Sequence, residues 1–177
     1  MGIFDKIRNI PFMDVIRDQR LKELLTKREF RLSEEYLQRE FLHRAEDEEV
    51  SGLSLKLENG FGTISGKVKK RLLPFAVPFS ARFSVHAVDF SREGKVVLFK
   101  VEEIKPIDSD WITQKLVRNV PFLAYADRVL VCDLERVPKL AEIFSYKVKG
   151  IRPLDHFVLK ELAFLDGEVV GRLGLCL

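Results

Sequence analysis

The chain has 177 residues, of which 46% are hydrophobic and 32% are charged, and its formal net charge is +3. This length fits one domain with a substantial core, and the composition excludes an intrinsically disordered chain, which would lack enough apolar side chains to fold. The small net charge gives by itself no indication of nucleic-acid binding, and no apolar run approaches the roughly 18 residues of a membrane span.

The N-terminal segment, residues 1–31, is predicted to be helical, with an interruption near Pro11. Apolar side chains recur at helical spacing from Ile3 to Ile10. Charged residues interrupt the segment every few positions, so it lacks the apolar core of a signal peptide. The helix either packs on its own domain or on a neighbouring subunit, or it lies on a membrane surface.

A second helix is predicted from Glu34 to about Ala45. Ser33 offers a side-chain oxygen for the N-cap, and acidic residues in the first turn interact favourably with the helix dipole. The apolar stripe of this helix consists of Leu37, Phe41 and Leu42.

The spacing of apolar residues then changes to a period of two, which indicates strands. Asn59-Gly60 predicts a hairpin turn. The alternation from Val77 to Ala87 predicts a long strand with one apolar and one polar face, as in an antiparallel sheet covered on one side. A further strand is predicted over residues 95–104.

The remainder of the chain mixes helices and strands. A helix is predicted from Asp110, and Pro121 is expected to restart it, with a short helix following over residues 137–144. Asp166-Gly167 predicts a final hairpin. The sum is an α+β fold with a meander-like antiparallel sheet.

One set of apolar side chains recurs on a single face of the predicted strands. These residues are Leu53, Leu55, Leu57, Phe79, Phe83, Val85 and Phe99. Such side chains line pockets for apolar ligands, and they equally fill closed cores. Two interpretations therefore stay open, namely an apolar tunnel that binds a ligand and a filled core.

A basic segment runs directly into an apolar, proline-containing turn. The cations are Lys67, Lys69, Lys70 and Arg71, and the apolar residues are Leu72, Leu73 and Phe75. The arrangement suits a loop that docks on an anionic membrane, because the cations would meet lipid headgroups while the apolar residues dip among acyl chains. The alternative is a strand end followed by a buried turn. Nucleic-acid binding is not expected, since no aromatic side chains interleave the cations.

No constellation of residues indicates catalysis, a metal site or a cofactor. The three histidines are separate in sequence and show no metal-binding spacing. The carboxylate of Asp155 beside His156 suits an imidazole that is oriented for general-base catalysis, but no nucleophile motif accompanies the pair. Cys132 and Cys176 lie in apolar surroundings, where we expect buried free thiols. We therefore expect a non-enzymatic protein of the cytoplasm.

The order of motifs from residue 33 to residue 177 resembles a known family. The segments are LSEEYLQREFL, VSGLSLKLENGFGTISGKVKK, FSARFSVHAVDF, KVVLFKVEEIKPI and LAFLDGEVVGRLGL. They are similar to the LmeA-like phospholipid-binding proteins of bacteria, in the tubular lipid-binding (TULIP) superfamily. The resemblance implies a long helix wrapped by a strongly curved antiparallel sheet, with an apolar tunnel between them that holds acyl chains.

Two hypotheses follow for a chain divided into an N-terminal helical segment, residues 1–31, and a lipid-binding-like α+β domain, residues 32–177. In the first, the domain binds a phospholipid or other acyl-chain ligand and visits membrane surfaces transiently, at the inner face of the membrane, for lipid transport. In the alternative, it is a filled-core assembly subunit that buries its apolar strips against copies of itself or a partner.

Overall fold

The computed structural model of the protein describes residues 26–90, 93–106, 110–147 and 149–175. In chain order the strands are β1 (Glu29–Ser33), β2 (Val50–Glu58), β3 (Phe61–Lys69), β4 (Ala76–Phe90), β5 (Lys95–Lys105), β6 (Leu123–Ala126), β7 (Val129–Asp133), β8 (Phe157–Leu165) and β9 (Glu168–Leu175). The α-helices that lie wholly within these residues are α1 (Glu34–Glu40), α2 (Asp110–Arg118) and α3 (Pro138–Ser145).

The strands form two antiparallel sheets, so the predicted α+β class is confirmed. The larger sheet has the order β2-β3-β4-β5-β7-β6, in which the first four strands are the predicted meander. The smaller sheet has the order β1-β9-β8. The sequence indicated one sheet, whereas the C-terminal hairpin leaves the meander and pairs with β1.

The predicted turns at Asn59-Gly60 and Asp166-Gly167 are hairpins, and they contact each other. Gly60 and Gly167 have positive φ angles of 87° and 76°, which glycine adopts without steric cost. The Gly60 N–H donates to the Phe164 carbonyl oxygen at 3.0 Å, and the Gly167 N–H donates to the Leu57 carbonyl oxygen at 3.1 Å. These two bonds tie one end of the larger sheet to one end of the smaller sheet.

Helix α1 begins as predicted and ends earlier. The Ser33 side chain accepts a hydrogen bond from the Tyr36 N–H at 3.1 Å. The α-helix ends at Glu40, and a 3-10 turn, Leu42–Ala45, takes the place of its predicted last turn. The longest helix that lies wholly within the described residues has nine residues, so a long helix wrapped by a sheet stays a prediction.

The predicted restart of helix α2 at Pro121 is wrong. The residues that follow form strand β6, which pairs with β7. The turn between these strands is Asp127-Arg128, whose φ angles are 51° and 67°. Two successive positive φ angles are typical of a type I′ hairpin turn, which glycine or asparagine usually marks. Neither residue is present, so the sequence pattern did not reveal the turn.

Strand β4 confirms the long alternation, but its buried face switches near its end. Before a bulge between Val85 and Ala87, odd-numbered side chains such as Phe79 are buried. After the bulge, Phe90 is buried and Ala87 is exposed. An extra residue at a β-bulge breaks the alternation of faces, so the prediction that Ala87 lies on the apolar face is wrong.

The predicted N-terminal helix does not extend to residue 31, because β1 pairs with β9 there. Strand β1 therefore crosses the predicted boundary between residues 1–31 and 32–177. Residues 1–25 lie outside the described residues, so the rest of that helix and the division of the chain stay predictions.

Candidate functional site

The seven residues predicted to line an apolar interior lie on one face of the larger sheet. This inner face packs against helix α2 at one end and against the smaller sheet at the other. Four of the seven have at most 8% of their surface exposed, namely Leu53, Leu55, Leu57 and Phe79. The other three are half-buried, namely Phe83, Val85 and Phe99. The structure therefore brings the predicted set together on one face.

Three phenylalanine rings join the two sheets at the half-buried part of the inner face. The Phe83 ring packs edge-to-face on Phe99 and Phe164, with centroids 5.8 and 5.5 Å apart, and Phe99 stacks on Phe164 at 5.9 Å. A β-carbon at Gly62 would lie 2.5 Å from the Phe83 ring, so this glycine makes room for the ring. Here the inner face is packed side chain against side chain.

An open groove of about 370 Å³ lies along helix α1, and none of the predicted lining residues forms its walls. Its walls are Glu34, Glu35, Gln38, Arg39 and His43. Pockets for apolar ligands have predominantly apolar walls, so this polar groove does not correspond to the predicted tunnel.

Strand β2 forms an edge of the larger sheet, and polar side chains cover its free backbone N–H groups. The acceptor and donor pairs are Glu34 Oε2 with Leu57 N at 2.6 Å, Gln38 Oε1 with Leu55 N at 3.2 Å, and Glu46 Oε1 with Leu53 N at 2.8 Å. An edge strand with free N–H groups is a template for pairing with another chain. These three side chains close this edge, a role that the sequence did not reveal.

The basic and apolar segment, residues 67–75, forms an exposed tip at the end of strand β3. Its four cations are all exposed, namely Lys67, Lys69, Lys70 and Arg71. Within the part of the chain that the structure describes, no ion pair joins any of them to a carboxylate. The predicted set of cations therefore lies together and presents uncompensated positive charge.

Other lysines on the same sheet are paired with carboxylates. The pairs are Lys56 with Glu58 at 3.2 Å, Lys100 with Glu102 at 3.3 Å, and Lys105 with Glu103 at 3.3 Å. Exposed pairs of this kind contribute little to stability, but they neutralise the local charge. The cations of the tip differ from these three lysines in this respect, while Arg82 on strand β4 lies over the Phe61 ring, at 3.9 Å from its centroid, without an ion pair to any described residue.

The apolar side chains of the tip are exposed beside its cations. Leu72 is 88% exposed and Phe75 is 61% exposed, while Leu73 is half-buried. The alternative of a buried turn therefore does not hold for Leu72 and Phe75. Among the described residues, Ile151 is the other strongly exposed large apolar side chain, at 57%.

The base of the tip is anchored to helix α2. The Lys69 N–H donates to the Glu49 carbonyl oxygen at 2.6 Å, and Lys115 Nζ donates to the Lys69 carbonyl oxygen at 3.4 Å. The Glu49 carboxylate pairs with Lys115 at 2.5 Å and with Arg118 at 2.9 Å. Hydrogen bonds from Lys115 and then Arg118 hold the pKa of Glu49 below its usual value. Glu49 thus connects the base of the tip to helix α2.

The single tryptophan of the chain, Trp111, lies next to the tip. The Nζ atoms of Lys70 and Lys115 lie 5.5 and 5.7 Å from the centroid of its indole ring, within the range of cation–π attraction. Trp111 is half-buried and packs against the core. It is therefore a spectroscopic reporter beside the tip.

A buried lysine that the sequence did not single out lies at the start of strand β5. Lys95 is 1% exposed, and its Nζ atom lies 3.4 Å from Glu135 and 3.7 Å from Asp155. The rings of Phe90 and Phe144 flank it at 5.4 and 5.3 Å. A buried charge needs such partners. This cluster links β5 to the segment before β8 and gives Asp155 a structural partner.

Cys132 is a free thiol within the described residues, as expected, but it is half-buried and not fully buried, and Cys176 lies outside the described residues. Burial, and then the charge of Asp133, raises the pKa of Cys132 to about 12. The thiol is therefore protonated at neutral pH, and it has none of the thiolate character that reactive cysteines need.

No protein-family model matches this chain, and neither a curated protein nor a solved structure matches it. In the part of the chain that the structure describes, no helix combines the length and the apolar character that crossing a membrane requires.

Proposed function

We propose that the protein binds anionic phospholipid at membrane surfaces and docks there through the tip, residues 67–75. The observation that carries this proposal is that the cations of the tip have no carboxylate partners among the described residues, whereas three other lysines on the same sheet do, together with the exposure of Leu72 and Phe75. An anionic bilayer suits both kinds of side chain.

The free energy of docking has an electrostatic contribution and a contribution from apolar surface. A lysine or arginine near an anionic surface contributes about 1 kcal/mol. Apolar surface contributes roughly 25 cal/mol per Å² when it leaves water. Leu72 and Phe75 would enter the acyl region while the four cations meet headgroups, so one short segment supplies both contributions.

The proposal includes an acyl chain held between the two sheets. The inner face is continuously apolar, because Ile64 touches the core groups at both of its ends. The half-buried rings of Phe83 and Phe99 are where an acyl chain would enter, and the contacts of both rings with Phe164 would have to separate. The resemblance to TULIP proteins motivates the proposal of an acyl-chain site. It also motivates the proposals of a long helix wrapped by the sheet and of a role in lipid transport.

The test of docking compares two variants that lose the same charge. The tip variant carries Lys67→Gln, Lys69→Gln and Lys70→Gln, and the control carries Lys56→Gln, Lys100→Gln and Lys105→Gln. Co-sedimentation with anionic vesicles should show a loss of affinity on the order of 100-fold for the tip variant, and of at most about threefold for the control. The difference should shrink at high salt, because salt screens exposed charges. Equal losses for the two variants would contradict docking through the tip.

The test of the acyl-chain site is native mass spectrometry of freshly purified protein, followed by organic extraction. Discrete added masses that are recovered as phospholipid support the site. A protein that carries no lipid, and gains none after incubation with phospholipid vesicles, contradicts it without affecting the proposal for the tip.

A filled-core assembly subunit is the second candidate. The observation in its favour is the burial of Leu53, Leu55, Leu57 and Phe79 within the chain itself. In that case Leu72 and Phe75 would contact another copy or a partner. A sizing column separates the candidates, because a lipid carrier should elute as a monomer and an assembly subunit as a larger species.

A further inference from the structure

The cations of the tip follow one another along the chain at the end of strand β3 and in the turn after it. Lys67 and Lys69 lie opposite Pro78 and Ala76 at the end of strand β3. The Cα atoms of residues two apart in a strand are separated by roughly 7 Å. The remaining two cations, Lys70 and Arg71, lie in the turn. Several neighbouring headgroups of a bilayer can contact such a strip together.

The donors of the tip are also not fixed in the way that a specific headgroup pocket requires. Such pockets place a few polar groups precisely within a concave wall. These four side chains are exposed and have no described carboxylate to orient them, although Lys70 lies over the Trp111 ring. Two backbone amides are already occupied. The Lys69 N–H donates to the Glu49 carbonyl oxygen, and the Leu73 N–H donates to the Lys70 carbonyl oxygen at 2.9 Å.

From this geometry we infer that the tip recognises the charge density of a bilayer, through several headgroups at once, and not the structure of one headgroup. The inference rests on the proposed function and names its partner, a bilayer surface rich in monoanionic phospholipid. The identity of the anionic lipid is then unimportant, and its mole fraction determines binding.

The first test compares vesicles that contain phosphatidylserine with vesicles that contain phosphatidylglycerol, at matched mole fractions in phosphatidylcholine. Binding is followed by co-sedimentation and by Trp111 fluorescence. We expect affinities for the two lipids within about twofold of each other, and a rise with anionic mole fraction that is steeper than proportional. A preference above about tenfold for one lipid overturns the inference and leaves docking intact. Failure to bind either vesicle overturns the proposed function itself.

The second test keeps the charge and changes the geometry of the donors. Arginine replaces an ammonium group with a planar fork, so a stereospecific site does not tolerate the exchange. The variant with Lys67→Arg, Lys69→Arg and Lys70→Arg should bind anionic vesicles within about threefold of the original protein. A loss near that of the glutamine variant overturns the inference.

A competition experiment separates a bilayer from a free phosphate compound as the ligand. Soluble phosphoserine should displace the protein from vesicles no more than sodium chloride does at the same ionic strength, because screening is then its only effect. Stronger displacement by phosphoserine shows that one free headgroup occupies the tip, and it overturns the inference.

Discussion

The two ends of strand β3 differ in whether their polar and apolar groups have partners within the protein. At the first end, which we call the docked end, the turn at residues 59–60 contacts the turn at residues 166–167. The Asn59 N–H donates to Asp166 Oδ1 at 3.1 Å, and the two glycine bonds described above complete the contact. At the other end, the tip exposes Leu72 and Phe75 beside cations that have no carboxylate partner in the described part of the chain. The fold completes one end internally, and at the other end we propose that a membrane surface covers the exposed groups.

The largest expected difference between the two ends is in how much a phenylalanine at each end contributes to the free energy of unfolding. Phe164 is 4% exposed and contacts two rings at the docked end, whereas Phe75 is exposed in the tip. Phe164→Ala should lower the free energy of unfolding by about 3–5 kcal/mol, because it removes a large buried side chain and leaves a cavity. Phe75→Ala should change it by at most about 0.5 kcal/mol.

Urea denaturation of both variants measures this difference. A strong destabilisation by Phe75→Ala would show that the tip is part of the core and would remove the contrast between the two ends. Both variants replace phenylalanine with alanine, so a difference in their stability reflects the surroundings of the two rings.

A smaller effect is expected at the free edge of β2, beside the docked end. Glu34→Ala leaves the Leu57 N–H without its acceptor and should cost about 1–3 kcal/mol. Glu35→Ala changes the neighbouring, exposed carboxylate and should stay within about 0.5 kcal/mol. Thermal or urea unfolding compares the two variants. Equal costs would show that Glu34 acts through the helix dipole, which favours acid at both positions.

The smallest effect is expected in acid, at the base of the tip. Because Lys115 and Arg118 hold the pKa of Glu49 below its unfolded value, its contribution to stability is present above the unfolded pKa and is lost as pH falls through the folded pKa. The original protein should therefore lose more stability between about pH 5 and pH 3 than Glu49→Gln does. Parallel curves of unfolding free energy against pH would contradict this account of the anchor.

Local signals made much of the fold predictable. The Asn59-Gly60 and Asp166-Gly167 turns carry the residue types that positive φ angles favour, and both hairpins are confirmed. The hairpin at Asp127-Arg128 was missed because its positive φ angles occur without glycine or asparagine. The switch of faces in β4 was missed because the alternation of residue types continues through the bulge.

The candidate site was predictable where local sequence signals mark it. A basic run followed by apolar residues is visible in the sequence, and the structure brings these residues together in the tip. Their lack of carboxylate partners depends on which side chains the folded sheet places beside them. Likewise, the hydrogen bond from Leu57 to Glu34 joins residues 23 positions apart. Sequence spacing did not indicate either arrangement.

The most direct test of the central claim locates the tip at the bilayer. A variant with Phe75→Trp and Trp111→Phe, and a control with Ile151→Trp and Trp111→Phe, each place a single tryptophan at an exposed apolar position. Vesicles containing lipid brominated in the acyl chains quench only tryptophans that reach the acyl region. We expect quenching for the Phe75→Trp variant and none for the control. Equal quenching in the two variants, or no quenching of vesicle-bound Phe75→Trp protein, would contradict docking through the tip.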